Sequence, residues 1–323
     1  MNIKTGKNAF VCLLVSCIIF MQTESIVSQA ASVREADVTT ASQGNELIGV
    51  IGNYENVAES KILKRINAIR KEACEKKYMN PATGERLSPD DYVAIKWSSE
   101  LEWIAQLRAA EATVNESHTR PNGKNCFSIT YQDEQSWAEN LAWNNTGLME
   151  GIEQWYGEKN DWAEQNINAV TGHYESLINP SYQYIGLGSF RRSTGGWYGV
   201  SAEFSFKGGL DERKSSLSGK RTQIVEVPSK YIGAAKIKAP VSLKVGKTKK
   251  ISVVRKITYR GIMNGKNVTE GTPLETITWS SSKKSILSID SNGTLYAKKT
   301  GKAVVTAKIS GGKKLKAIVR VKQ

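Results

Sequence analysis

Trp197-Tyr198-Gly199-Val200-Ser201-Ala202-Glu203-Phe204-Ser205-Phe206 is where the chain changes its period. Tyr198, Val200, Ala202, Phe204 and Phe206 alternate with Ser201, Glu203 and Ser205, and this two-residue repeat predicts a strand with one face buried. Residues 182–190 read as its hairpin partner, joined through Ser193-Thr194-Gly195-Gly196. Upstream the period is helical. Ile62, Leu63, Ile66, Ile69 and Ala73 predict a helix over 57–76, broken by Pro81 and Gly84. A second helix follows Trp97, with Ser99 and Glu102 at capping-box spacing and Leu101, Ile104, Ala105 and Ala109 on its inner side. Shorter helices are predicted over 135–143 and over 147–160, the latter with Leu148, Ile152 and Trp155 in one stripe. Helices first and strands last give an α+β module with a sheet between helical layers, an α-β-α sandwich.

The C-terminal third reads differently. Seven short apolar runs, from 241–245 to 315–321, are separated by Gly, Asn and Lys turns, a spacing that predicts a small all-β sandwich. Charge marks the same division. The chain carries 45 Lys+Arg against 31 Asp+Glu, net +14. Residues 235–323 hold 21 of those cations against Glu270, Glu275 and Asp290, net +18, so the rest carries 14 − 18 = −4. The expected organisation is a leader at 1–30, a polar linker at 31–55, the α+β module at 56–207, a Ser/Lys/Arg/Gly-rich linker at 208–234 and the basic module at 235–323. With 40% apolar and 24% charged residues the composition is that of a globular protein.

The leader has Lys4 and Lys7, an apolar run from Ala9 to Phe20 and the small-residue site Ser28-Gln29-Ala30, the pattern of a cleavable secretory signal. An uncut anchor and a lipidated Cys17, in Leu14-Val15-Ser16-Cys17, are alternatives left open. Cys74 and Cys126 are the cysteines beyond this segment, and a disulfide between them or two free buried thiols fit the sequence equally.

The chain has two histidines, His118 in Ser117-His118-Thr119-Arg120-Pro121 and His173 in Thr171-Gly172-His173-Tyr174. Imidazole suits both metal ligation and proton transfer near neutral pH, although each histidine alone is a weak signal. Glu139 lies among Trp137, Ala138, Leu141 and Ala142, and Glu158 follows Trp155 by three residues. A carboxylate turned inward needs a partner; one on a solvated helix face does not.

Together, His118, Ala138-Glu139-Asn140-Leu141-Ala142, Trp155-Tyr156-Gly157-Glu158 and Gly172-His173-Tyr174 resemble, in order, the four signature segments of the CAP superfamily of cysteine-rich secretory, antigen 5 and pathogenesis-related proteins. The resemblance spans residues 56–207. It implies an α-β-α sandwich with a cleft in which His118, Glu139, Glu158 and His173 face each other, and a divalent metal there, with zinc the best match for two imidazoles beside carboxylates. Such ligands release metal as they protonate. The sparse cysteines depart from the disulfide-rich animal members, so the lipid-binding habits of those relatives transfer poorly. Val245-Gly246-Lys247, Ile277-Thr278-Trp279-Ser280 and Asp290-Ser291-Asn292-Gly293-Thr294-Leu295 in turn resemble a bacterial immunoglobulin-like domain of group two.

Three functions stay open on this reading. A binding protein would hold a small ligand or metal in the cleft and stay near the cell envelope through its basic module, on anionic wall polymer or lipid. A hydrolase of peptide or wall material would use metal-bound water or a His–Glu pair, yet the chain has no HExxH motif and no serine or cysteine nucleophile elbow. A structural or adhesion protein would use the tetrad as a polar network. Nucleic acid is not expected as a partner of an exported chain without a readout motif.

Overall fold

The computed structural model describes residues 33–34, 36–207, 218–263 and 265–323. The leader reading, with Cys17, and part of the linker at 208–234 lie outside them. After a two-residue strand β1 (Val33–Arg34) comes β2 (Asn45–Tyr54), followed by helix α1 (Glu59–Glu75). The short β3 (Lys96–Trp97) leads into α2 (Ser99–Val114). The α2 cap is Ser98, one residue before the serine expected, and its Oγ accepts from the Leu101 N–H at 3.2 Å. Two-residue strands β4 (Thr130–Tyr131) and β5 (Glu134–Gln135) then precede β6 (Ala138–Asn144). Helices α3 (Leu148–Tyr156), α4 (Lys159–Ala163) and α5 (Gly172–Ile178) lead to the hairpin β7 (Tyr184–Arg192) and β8 (Tyr198–Ser205).

The hairpin is antiparallel, with Leu187 opposite Ala202, as the alternation predicts. Two expectations fail here. The predicted helix over 135–143 is the strand β6, which pairs antiparallel with β8 from Ala138↔Phe204 to Asn144↔Tyr198. Strand β8 is also not half-solvated: Ser201, Glu203 and Ser205 are as buried as Val200, Ala202 and Phe204. The sheet is covered on both faces. Ile62, Ile66 and Ile69 of α1, Ile152 and Trp155 of α3 and Tyr174 and Leu177 of α5 pack on the side of Ile185, Leu187, Val200 and Phe204. The other side carries α2, almost wholly buried.

Helix α2 lies very close to the sheet because the strands offer it glycine. A Cβ on Gly186 would come within 2.0 Å of the Glu102 nitrogen, one on Gly188 within 2.5 Å of the Gln106 nitrogen, and one on Gly199 within 2.4 Å of the Ala109 carbonyl. These contacts follow one face of the helix at i, i+4 and i+7, so backbone rests on backbone.

Both segments expected as linkers contribute strands to a ladder. Strand β2 lies within 31–55, and β9 (Gly219–Pro228) pairs with all ten of its residues. The basic module does not stand apart either. Strands β10 (Lys236–Lys238), β13 (Ser252–Arg260) and β14 (Lys266–Pro273) extend the first sheet, with Val50 of β2 opposite Gly271. Ile257 shares a core with Ile48, Val50, Phe190 and Val225. Asn267 Nδ2 donates to the Thr113 and Val114 carbonyls at 2.8 and 3.0 Å, closing the C-terminus of α2.

The remaining strands form an all-β unit. One sheet runs β11 (Ser242–Lys244), β19 (Lys314–Lys322), β18 (Gly301–Lys308), β15 (Thr278–Ser281); the other runs β12 (Thr248–Lys250), β17 (Thr294–Ala297), β16 (Leu287–Ile289). Leu287, Leu295, Val305, Val319 and Val321 fill the space between them. Cys74 and Cys126 are both free and buried, so no disulfide joins them. No helix among the described residues is long and apolar enough to cross a membrane.

Candidate functional site

The structure brings His118, Glu139, Glu158 and His173 together as two His–Glu pairs. His118 follows α2, and its Nδ1 lies 2.7 Å from Glu139 Oε1 on β6. His173 opens α5, and its Nδ1 lies 2.5 Å from Glu158 Oε1 in the joint between α3 and α4. The imidazole rings face each other with centroids 6.3 Å apart and planes inclined by 24°. A carboxylate on each Nδ1 selects the tautomer with its proton there, which in the neutral ring puts the lone pair on Nε2.

The carboxylates are themselves held. Glu158 Oε2 accepts from the backbone N–H of His173 and of Tyr174 at 3.0 and 3.1 Å, satisfying the first turn of α5. Glu139 is fully buried and bound by Arg108, whose Nε donates to Oε2 at 2.6 Å. Arg108 also donates to Glu111 at 2.8 Å and to the carbonyls of Ser117 and His118 at 3.1 and 3.3 Å, fixing the loop that carries the imidazole. Burial works to raise the Glu139 carboxyl, but the Arg108 guanidinium and the His118 bond outweigh it and hold the group below the ordinary carboxylate range. Arg120 continues the network, donating to Glu111 and to Asp37 at 2.8 and 2.7 Å.

Two groups behind Glu139 escape the sequence reading. Glu203 is the register partner of Glu139 on β8, and Ser201 Oγ donates to it at 2.7 Å. Burial first, and then the Glu139 charge, push its carboxyl well above the ordinary value, so Glu203 holds its proton beside an ionised Glu139. Cys126 is the other: ligand atoms of His118, Cys126 and Glu139 lie within 4.8 Å of one another. Burial, then the Glu139 and Glu203 charges, push the Cys126 thiol up to about 12, leaving it protonated and unreactive. Arg108 was legible in principle, since it falls on the stripe of Leu101, Ile104 and Ala105. Glu203 and Cys126 carry no such signal.

The CAP family model, described as the cysteine-rich secretory protein family, matches residues 63–204. Residues 63–204 are a CAP domain. The venom allergen 5 of Rhynchium brunneum is 27% identical over 114 residues, which cover 31% of this chain and 46% of that protein, so the chain spans less than half of the relative's length. Among solved structures, the Schistosoma mansoni venom allergen-like protein 4 is similar at 17% identity, covering 47% of this chain and 96% of that one with a TM-score of 0.31. BmVAL-1 is similar at 16% identity, covering 48% and 79% with a TM-score of 0.34. At such TM-scores neither likeness establishes anything by itself. The CAP domain as matched stops before β9 and the strands that complete its sheet.

Proposed function

We propose that this chain is an exported binding protein whose CAP cleft offers two imidazole Nε2 edges to a ligand or a divalent cation. The observation that carries the reading is the pairing of each Nδ1 with its own carboxylate across a 6.3 Å ring separation. A histidine that ligates a metal typically donates its other N–H to a carboxylate in this way. The donor chemistry suits zinc, with His118 and His173 as ligands and Glu139 and Glu158 orienting them; both Glu139 oxygens already accept from Arg108, so it is a poor direct ligand. When bound, such an ion would supply a Lewis acid at the imidazole edges. The leader pattern supports secretion, and the basic C-terminal β unit, read as immunoglobulin-like, supports retention at an anionic cell envelope through wall polymer or lipid.

Hydrolysis is the second reading, and the His–Glu pairs favour it as candidate bases. The nearby thiol does not supply a nucleophile, because Cys126 stays protonated. Native mass spectrometry of the protein purified without chelator separates these readings. Binding predicts a stoichiometric divalent ion or small ligand that disappears in the His118→Ala/His173→Ala variant. A wild-type protein that carries neither, and whose melting temperature no divalent ion shifts, overturns the reading.

A further inference from the structure

The β11–β19–β18–β15 sheet has one face on the C-terminal core and one face outward, and the outward face is a sheet of cations. Along β19, Val319 and Val321 point inward while Lys314, Lys316, Arg320 and Lys322 are exposed. Register then fixes what lies beside them. Lys308 of β18 is opposite Lys314, and Lys302 is opposite Arg320. Lys244 of β11 is beside Lys322. These seven cations share their face with no acidic residue, and none of the seven has an ion-pair partner among the described residues. The opposite sheet is unlike it. Its outward row, through Thr248, Lys250, Thr294, Tyr296 and Ser288, holds one cation, and Tyr296 donates its hydroxyl to Asp290 at 2.9 Å.

Three cross-strand pairs therefore set like charges directly opposite one another, an arrangement that destabilises a sheet. An anion laid between the strands removes that cost. We propose that this face binds a linear phosphodiester polymer, an inference that rests on reading the basic module as the anion-facing part of the protein and assigns that role to one surface of it. Outward side chains along a strand repeat every ~6.5–7 Å, and neighbouring strands lie ~4.8 Å apart, so the face is a flat lattice of charge without a cleft. Six of the seven cations are lysines, mobile point charges that need no bidentate geometry. Hydroxyls of Ser242, Thr278, Ser280 and Thr306 lie on the same face. The face carries no Trp, Tyr, Phe or Leu to enter a bilayer interface; its apolar members are Ile318 and Val304. This favours a soluble polymer over a lipid surface.

The test compares the full chain with two triple variants, using poly(glycerol phosphate) as probe and phosphatidylglycerol vesicles as the competing surface. Lys314→Gln/Lys316→Gln/Arg320→Gln alters the face; Lys250→Gln/Lys283→Gln/Lys284→Gln removes the same charge elsewhere. The first is expected to lower polymer affinity at least about tenfold and to reduce the slope of log K against log salt by about 2, with little change in the second. Both variants are expected to melt at or above the wild-type temperature, which confirms that they fold. Equal losses in both overturn the assignment to this face while the module-level reading stands; no polymer binding by wild type overturns both. Vesicle binding tighter than polymer binding overturns the choice of a polymer. The His118→Ala/His173→Ala variant is expected to keep full polymer affinity, so failure of the cleft reading is seen separately.

Discussion

Glu203 holds its proton beside the ionised Glu139, its register partner, and this makes stability depend on pH. In the unfolded chain the Glu203 carboxyl ionises near its ordinary 4.5, whereas burial and the Glu139 charge keep it protonated in the folded chain to well above that value. Between the two values the native state holds more protons than the unfolded state, so this contribution is fully present below 4.5 and is lost as pH rises through the folded value. Replacing Glu203 by Gln keeps the neutral, hydrogen-bonding form and abolishes the loss. Stabilities of wild type and Glu203→Gln from urea unfolding are therefore expected to converge near pH 4 and to separate at neutral pH with the variant more stable by about 1–3 kcal/mol; parallel pH curves would refute the proton held on Glu203. The His–Glu tetrad was legible in the sequence because it is written in local segments. Glu203 was not, because serine and glutamate alternating with apolar residues spell a solvated face, and only the position of α2 shows that this face is dry.

At the scale of elements, α2 is held less by side-chain interdigitation than by the absence of side chains beneath it. Gly188→Ala would drive a methyl group to within 2.5–2.7 Å of Ala105–Gln106 backbone atoms. It is expected to cost about 3 kcal/mol or more by chemical denaturation, because backbone atoms cannot rotate away. Gly172→Ala, with nothing within 4 Å of the added Cβ, is the control and should stay within about 1 kcal/mol of wild type. Equal effects at the two sites would refute the close-approach account. The same lift would shift Arg108 and with it the Glu139–His118 pair, so weakened ligand binding should accompany the loss. Periodicity located α1, α2 and the hairpin within a few residues. It misread β6 because that strand is buried from Glu139 to Ala142 on both sides and lacks the alternation of a half-solvated strand.

For the whole molecule, the division drawn from charge is real in composition but does not coincide with the division in packing. Arg34–Gln323 hold together as one compact unit, and β13 and β14 finish a sheet begun by β2. Charge patterning could not reveal this, since Arg255 and Lys256 of β13 read as module surface although Arg255 bonds Glu46 on β2. A chain ended at residue 240 loses Ile257 from the first core and the Asn267 bonds that close α2. Its melting temperature is expected to fall by about 10 °C, corresponding to about 3 kcal/mol or more; a fall of less than about 2 °C would show that the added strands contribute little. The β2–β14 pairing also orders events in time. Its residues are separated by roughly 220 positions of chain, so loop closure of that length must precede the ladder. A chain emerging end-first, from a ribosome or through a translocation channel, cannot seal its CAP sheet until residue 273 is out. The unfinished edge at β2 then becomes the natural place for a chaperone, or for a mispaired strand, to bind during that interval.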